Sequence, residues 1–389
     1  MTLFSFYRTP QLHFGVGVSG KIAQSASVQG NTALLVTGGK SFDNSPFRKQ
    51  ILSQLEQRGI AFTRVTVGNE PKDNQIDQIC EEHRNKKIAV IIAIGGGSVL
   101  DAGKAISAML TVQGNIKDYL EGIATKTHPG TKVPFIAVPT TAGTGSEASA
   151  NAVITVSGPP EMKRSIRHTS FVPDEAIIDP QLALSCPEEI TAACGMDTLT
   201  QLIESYVSKA ASPITDSLVE KALTMVLPAL KQVVKNGDDL EARTVMSYAS
   251  YISGITLANA GLGAVHGIAP VVGARFPVPH GAACGILLAP VCQATIESLE
   301  TNENGQLFLK KYSRVAELLT GRPAGGIKER CGTLIEIIEE LASEFNIPKL
   351  SAYGISFSDL EELADDCSSK NNPVPLSKEQ FRSILSSSI

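Results

Sequence analysis

The sequence has no run of five basic residues, no run of about 18 apolar residues and no C-x-x-C pair. The first absence, with a net charge of −5, removes the electrostatic footprint of a nucleic-acid or membrane-surface binder. The second leaves no membrane span to expect. The third, with an odd total of seven cysteines, argues against a disulfide frame and against a cysteine metal site; the pattern reads as reduced thiols of a cytoplasmic protein. The N-terminus also lacks a positive segment followed by a long apolar core, so no secretory signal is expected. Internal repeats and low-complexity segments are missing as well.

What is present is an ordinary globular balance, with 43% hydrophobic and 19% charged residues. A length of 389 residues favours two domains over one. In the first half, short apolar runs alternate with helical periodicity. Residues 33–37, 61–67, 88–94, 133–138 and 176–178 read as strands, and 47–58 and 99–110 as helices. Ile88 to Ile94 is apolar throughout, as in a parallel strand buried on both faces. After Pro187 the chain is mostly helical, over roughly 188–209, 213–234, 239–259, 281–299, 307–320, 328–345, 357–367 and 378–386. The reading is a Rossmann-like α/β domain with a mostly parallel sheet over residues 1–185, followed by an all-α domain over 186–389.

Three glycine- or threonine-rich loops follow three of these strands: Gly38-Gly39-Lys40-Ser41, Gly95-Gly96-Gly97-Ser98, and Thr140 through Glu147. In an open α/β sheet, ligands bind outside the carboxyl ends of the strands, so all three belong to the binding edge. Glycines let backbone approach a ligand closely, and a helix start suits a pyrophosphate. Ser98 with Asp101 fits the S-x-x-D pattern of a capped helix. The competing reading of each loop is a plain strand-to-helix turn.

The second half holds candidate metal ligands. Asp197 and Gln201 are spaced i, i+4, on one face of a helix. His266 and His280, two of only six histidines, lie 14 residues apart. Unbroken helix would separate them by about 21 Å. Pro277 and Pro279 should break that helix and let His280 fold back. The competing reading is a pair of buried core histidines. Imidazole and carboxylate donors suit Fe(II) or Zn(II).

Taken together, these segments resemble the iron-containing (group III) alcohol dehydrogenases, which share a fold with glycerol dehydrogenase and dehydroquinate synthase. The stretch from Gly95 to Lys104 looks like that family's GGGSxxDxxK, and PTTAGTGSE over Pro139 to Glu147 matches its threonine loop. Gly195 to Ser208 resembles its first metal helix, and Gly261 to Gly281 its two-histidine segment. The resemblance spans nearly the whole chain. It implies that Gly95 to Ser98, with Asp101 in the same motif, hold a cofactor pyrophosphate. Thr140, Thr141 and Thr144 are implied to contact ribose and phosphates, and Ser146, Ser149 and Asn151 to line the nicotinamide side. Lys163 matches a lysine facing the cofactor. Asp197, His266 and His280 match catalytic metal ligands, placed in a cleft between the domains. The implied substrate is a small alcohol or aldehyde, and the implied assembly is a homodimer formed through N-terminal strands, within an apolar segment running from Thr2 to Val16.

Two positions depart from the family pattern. Gln201 stands where a fourth ligand, histidine, is usual, so it serves as a weaker amide ligand or orients a bound water. Pro270 replaces a histidine often used for proton exchange. The cofactor is NAD or NADP, and NADP is favoured. Members preferring NAD commonly carry aspartate at the position of Gly38, whereas Gly38, Gly39, Lys40 and Ser41 supply no acid, one cation and one hydroxyl. The alternatives are a metal-free reductase similar to maleylacetate reductases, which Gln201 favours, and a lyase resembling dehydroquinate synthase. A non-enzymatic binding module has the least support, because the cofactor loops and most of the metal set are present.

Overall fold

A computed structural model describes residues 3–68, 70–158, 161–322 and 325–389; Thr2, at the start of the apolar N-terminal segment, lies outside them. The strands are β1 (Gln11–Phe14), β2 (Thr32–Thr37), β3 (Ala61–Thr66), β4 (Val90–Gly95), β5 (Phe135–Pro139), β6 (Asn151–Val156), β7 (Met162–Arg167) and β8 (Glu175–Ile178). Helices α1 (Ile22–Gln29), α2 (Lys40–Asp43), α3 (Arg48–Gln57), α4 (Asp73–His83) and α5 (Gly97–Met109) are interspersed with them. Then come α6 (Glu188–Val207), α7 (Pro213–Lys235), α8 (Leu240–Ala260), α9 (Val265–Arg275), α10 (His280–Glu300), α11 (Gln306–Thr320), α12 (Ile327–Glu344), α13 (Leu360–Asp366) and α14 (Lys378–Ser387). The chain forms two compact units. One comprises residues 7–186 and 238–247, the other residues 1–6, 187–237 and 248–389.

In the first unit, six parallel strands stand in the order β1-β8-β5-β4-β2-β3. Side chains alternate across them. Leu34, Val36, Ile91, Ala93, Phe135 and Ala137 join one apolar cluster with α4 and α5. Ala33, Leu35, Ile92, Ile94, Ile136 and Val138 join another with α1 and α3. Both faces are covered, which is why β4 carries no polar side chain. β6 and β7 form a separate antiparallel hairpin. From β2 the chain runs out to β3 at one edge, then returns to β4 on the other side of β2 before continuing to β5 and β8. The direction of progress therefore reverses between β2 and β4, the place where an open α/β sheet leaves a crevice at its carboxyl edge.

The second unit is helical, and α6 lies at its centre, with fifteen of its residues buried. α10 is long and apolar enough to cross a membrane by length and composition alone, as is the pair α8 and α9 bent by 104°. However, two-thirds of the apolar window of α10 (67%) is buried inside the protein, as in a core helix.

Several elements escape the sequence pattern. β1 is a short edge strand with two exposed residues, and β7 reads MKRSIR, too charged to register as a strand. α1 and α4 are absent from that reading as well. α9 contains Pro270 one turn after its start, and its residues fall outside the helical ranges read from the sequence.

Candidate active site

The three loops lie where the sheet places them. Thr37 pairs with Ile94, and Gly95 with Pro139, so the loops after β2, β4 and β5 leave the same edge on adjacent strands. The start of α5 differs from the capping pattern. Gly96 is the N-cap, no side chain caps the helix, and Ser98 is its second residue. Asp101 turns elsewhere: Oδ1 accepts from Ser146 Oγ (2.5 Å) and Oδ2 from the Val153 amide (2.9 Å). A helix start without a side-chain cap keeps its N–H groups available to an anion.

Glycine is required here by close approach. A Cβ on Gly97 would lie 2.6 Å from Thr144 Cγ2, and one on Gly95 2.6 Å from Val99 Cβ. The glycine and threonine loops therefore pack directly on each other. Lys104 fixes the threonine loop from below. Its buried ammonium donates to Ser146 O (2.9 Å), Ser146 Oγ (3.1 Å), Ser149 Oγ (3.1 Å) and Asn151 O (2.7 Å). Burial lowers the Lys104 pKa to about 8, against the pull of Asp101 and Glu147. Burial likewise raises Glu147 to about 7. Asn151 Oδ1 is buried with no hydrogen-bond partner. Thr140, Thr141 and Thr144 are half-buried, and Lys163 pairs with Glu70 (2.6 Å).

After β2, Gly38 is buried, Gly39 half-buried, and Lys40 and Ser41 exposed. Arg64, on neighbouring β3, donates to Thr37 Oγ1 (2.8 Å), Gly38 O (3.1 Å) and Asp43 Oδ1 (2.6 Å). Sequence reasoning missed Arg64, because only the β2–β3 register brings it to this loop.

The second unit gathers the predicted ligands. α9 ends at Arg275, and α10 starts at His280 with Pro279 as N-cap, so the prolines do break the helix. The two imidazole centroids are 5.3 Å apart. Asp197 Oδ1 lies 3.3 Å from His266 Nε2 and 3.8 Å from His280 Nε2. Gln201 Nε2 donates to the same Oδ1 (3.1 Å), while Gln201 Oε1 accepts from Ser253 Oγ (2.8 Å). Burial alone would raise the Asp197 pKa; the imidazoles of His280 and His266 and the Gln201 amide outweigh it and lower it.

Two further side chains complete the cluster. Glu204, one turn after Gln201 (spacing i, i+3), accepts from His266 Nδ1 (2.7 Å) and the Val265 amide (2.7 Å). That contact fixes the ring with Nε2 toward Asp197, as carboxylates behind metal-binding histidines do. Cys284 Sγ lies 3.8 Å from both His266 Nε2 and His280 Nε2. Donor atoms of Asp197, His266, His280 and Cys284 all fall within 4.8 Å of one another. The sequence reading gave the cysteines no part in a metal site, whereas Cys284 lies within this candidate cluster. The signal was the H-x-x-x-C spacing from His280, which puts both side chains on one face of α10. Burial pushes the Cys284 thiol up to about 12.

Glycine again sets the geometry. A Cβ on Gly281 would meet Ala193 O at 2.4 Å, and one on Gly285 would meet Met196 Cβ at 3.3 Å. These glycines let α10 lie against α6, which brings His280 and Cys284 to Asp197. Gly281→Ala should push α10 off a backbone carbonyl that has no rotamer to yield. Metal affinity should fall by about tenfold or more, as for lost supporting contacts. Isothermal titration checks this, and unchanged affinity refutes it.

Comparison with known proteins decides the family. The sequence pattern described as "Iron-containing alcohol dehydrogenase" matches residues 9–180, and that described as "Fe-containing alcohol dehydrogenase family, C-terminal" matches residues 191–389. The chain belongs to the iron-containing alcohol dehydrogenase family. Among its relatives, the NADPH-dependent butanol dehydrogenase of Clostridium saccharobutylicum is 32% identical, covering 94% of each chain. The NAD-dependent methanol dehydrogenase of Bacillus methanolicus is 28% identical, covering 99% of this chain and 100% of its own. A solved 1,3-propanediol oxidoreductase superposes with a TM-score of 0.90 at 30% identity, covering 100% of both chains. Members of the family are oxidoreductases, and the parallel sheet followed by helices is their fold.

Proposed function

We propose that this iron-containing alcohol dehydrogenase family member moves hydride between NADP(H) or NAD(H) and an alcohol/aldehyde pair. The observation that carries the reading is the convergence of buried Asp197 and His266 with half-buried His280 in one cluster, with Glu204 fixing one ring. One carboxylate and two imidazoles fit a divalent ion, Fe(II) or Zn(II). When bound, such an ion supplies Lewis acidity that polarises the substrate oxygen. Asp197, His266 and His280 are the catalytic residues in this reading. Gln201 is the position given above as fourth ligand or orienting group; its N–H faces Asp197, which supports the orienting role.

Residues 1–185 make up the dinucleotide-binding domain in this proposal, and 186–389 the metal and substrate domain. Gly95, Gly96, Gly97 and Ser98 receive the pyrophosphate on the uncapped start of α5, with Asp101 bracing the adjoining loop. Thr140, Thr141 and Thr144 turn hydroxyls to ribose and phosphate. Ser146 and Ser149 hold the nicotinamide side through the loop that Lys104 secures. The unpartnered Asn151 Oδ1 supplies an acceptor suited to the carboxamide N–H. Lys163 faces the cofactor from β7. A screen of NADPH and NADH oxidation over aldehydes tests the activity; no turnover with any aldehyde by metal-loaded protein would refute it.

NADP(H) is the preferred cofactor in this reading. Exposed Lys40 and Ser41, with Arg64 alongside Gly38, favour a 2′-phosphate, whereas an acid there would repel it. Gly38→Asp should move selectivity toward NAD by about tenfold or more, or roughly 1.4 kcal/mol. Its Cβ would sit 2.5 Å from Ser41 Oγ, so that side chain must rotate. Specificity constants for both cofactors check this. A wild-type preference for NADH of about tenfold contradicts it.

The protein is a cytoplasmic homodimer in this proposal. Support comes from an odd total of seven cysteines with no C-x-x-C pair, from exposed Leu3, Phe4, Phe6 and Tyr7 ahead of β1 in the sequence, and from exposed Leu12 within that edge strand. Light scattering should give twice the monomer mass at micromolar concentration; a strictly monomeric mass refutes it.

A further inference from the structure

Building on the metal reading above, we propose that the fourth protein ligand has moved from α6 to α10: Cys284, not Gln201, completes the site, and the thiolate makes it selective for Zn(II) over Fe(II).

Gln201 is poorly placed to ligate. Its carbonyl oxygen lies against Ser253 Oγ (2.8 Å), and it presents an N–H to Asp197. Cys284 is completely buried, and its sulfur is 3.8 Å from each histidine Nε2. Bond lengths of about 2.0–2.3 Å place neighbouring donors of a tetrahedral ion about 3.3–3.6 Å apart. The spacings here are 3.3 Å for His266–Asp197, 3.8 Å for His280–Asp197 and 3.8 Å for each Cys284–His pair. Four of the six donor spacings are thus within a few tenths of an ångström of that range, and the other two lie within 4.8 Å, so modest side-chain shifts bring the four donors onto one ion. Position on the helix reinforces this. Cys284 is four residues after His280, so one face of α10 supplies two adjacent corners, while Asp197 and His266 supply the others from α6 and α9.

On binding, the Sγ–H bond gives way to an Sγ–metal bond, and the proton leaves to solvent; neither sulfur nor metal changes oxidation state. A soft sulfur donor beside two imidazoles suits Zn(II), whereas carboxylate and imidazole alone discriminate less against Fe(II).

Metal-free full-length protein, wild type and the variants Cys284→Ser and Gln201→Ala, is titrated with Co(II) and Zn(II). Wild type should bind one Co(II) with a thiolate-to-cobalt charge-transfer band in the near ultraviolet, absent in Cys284→Ser. Zn(II) affinity should fall by about 100-fold in Cys284→Ser, and by about tenfold in Gln201→Ala, which loses only an outer-shell contact to Asp197 and keeps the charge-transfer band. Co(II) bound to wild type without that band overturns this inference alone and leaves the Asp197, His266 and His280 site standing. Failure of wild type to bind any divalent ion overturns both. Because the band is read on wild type, misfolding of a variant cannot rescue the proposal.

Discussion

Asp197→Ala and His280→Ala should each lower turnover by about 10³-fold or more, while cofactor affinity stays within about twofold. The asymmetry follows from which unit holds which residue. Asp197 and His280 sit on α6 and α10 of the helical unit, and the cofactor loops follow β2, β4 and β5 of the other. Among the described residues, Asp197 is the carboxylate that bridges the two histidines, since Glu204 is spent on His266 Nδ1 and the Val265 amide. Its removal takes away the charge that offsets a divalent ion. Asp197→Asn, close in volume, separates loss of charge from loss of packing and should fail equally. Steady-state kinetics paired with fluorescence titration of NADPH make the measurement. Turnover within about tenfold of wild type in either alanine variant would remove these residues from the chemistry.

Lys104→Met should have the largest effect on stability. The buried lysine ammonium shares its three N–H groups among four acceptors around the threonine loop, with Asp101 nearby as counter-charge. Methionine fills similar space, yet it strands two carbonyls and leaves the half-buried Asp101 without its cation. Breaking one side of such a pair costs about 3–5 kcal/mol. The loop that Lys104 holds is also the proposed cofactor loop, so NADP(H) affinity should fall along with the unfolding midpoint. Urea unfolding of the two proteins checks the first effect and titration of cofactor the second. A loss below about 1 kcal/mol would mean that the network relaxes around the gap.

The contrast between these two residues shows what the sequence made legible. Asp197, His266 and His280 stand out because their types are scarce and chemically suggestive, and because Pro277 and Pro279 signal the chain reversal that joins them. The strand runs 33–37 and 88–94 are visible because a parallel sheet covered on both faces writes unbroken apolar stretches. Lys104 is harder to interpret, since its partners are mostly backbone carbonyls and hydroxyls some forty residues away. Glu204 and Cys284 share helices with recognised ligands, at spacings of three and four residues that reach the same cluster, but an ordinary core acid or thiol has the same spacing. Arg64 depends on strand register, and register is set by tertiary pairing. α9 was hidden by its own Pro270, which the surrounding helices tolerate. The S-x-x-D pattern misled for a related reason: Asp101 finds better partners in Ser146 and Val153 than at the start of its own helix.

Metal dependence tests the central claim most directly. The protein is stripped with a chelator, shown to be metal-free by elemental analysis, and assayed for NADPH oxidation with an aldehyde that the native preparation reduces. One equivalent of Zn(II) or Fe(II) is then returned. The predicted result is turnover near zero in the stripped protein, unchanged NADPH binding, and recovery that saturates at one ion per chain. Reduction at the full rate by metal-free protein would contradict the account and leave a metal-free reductase in its place.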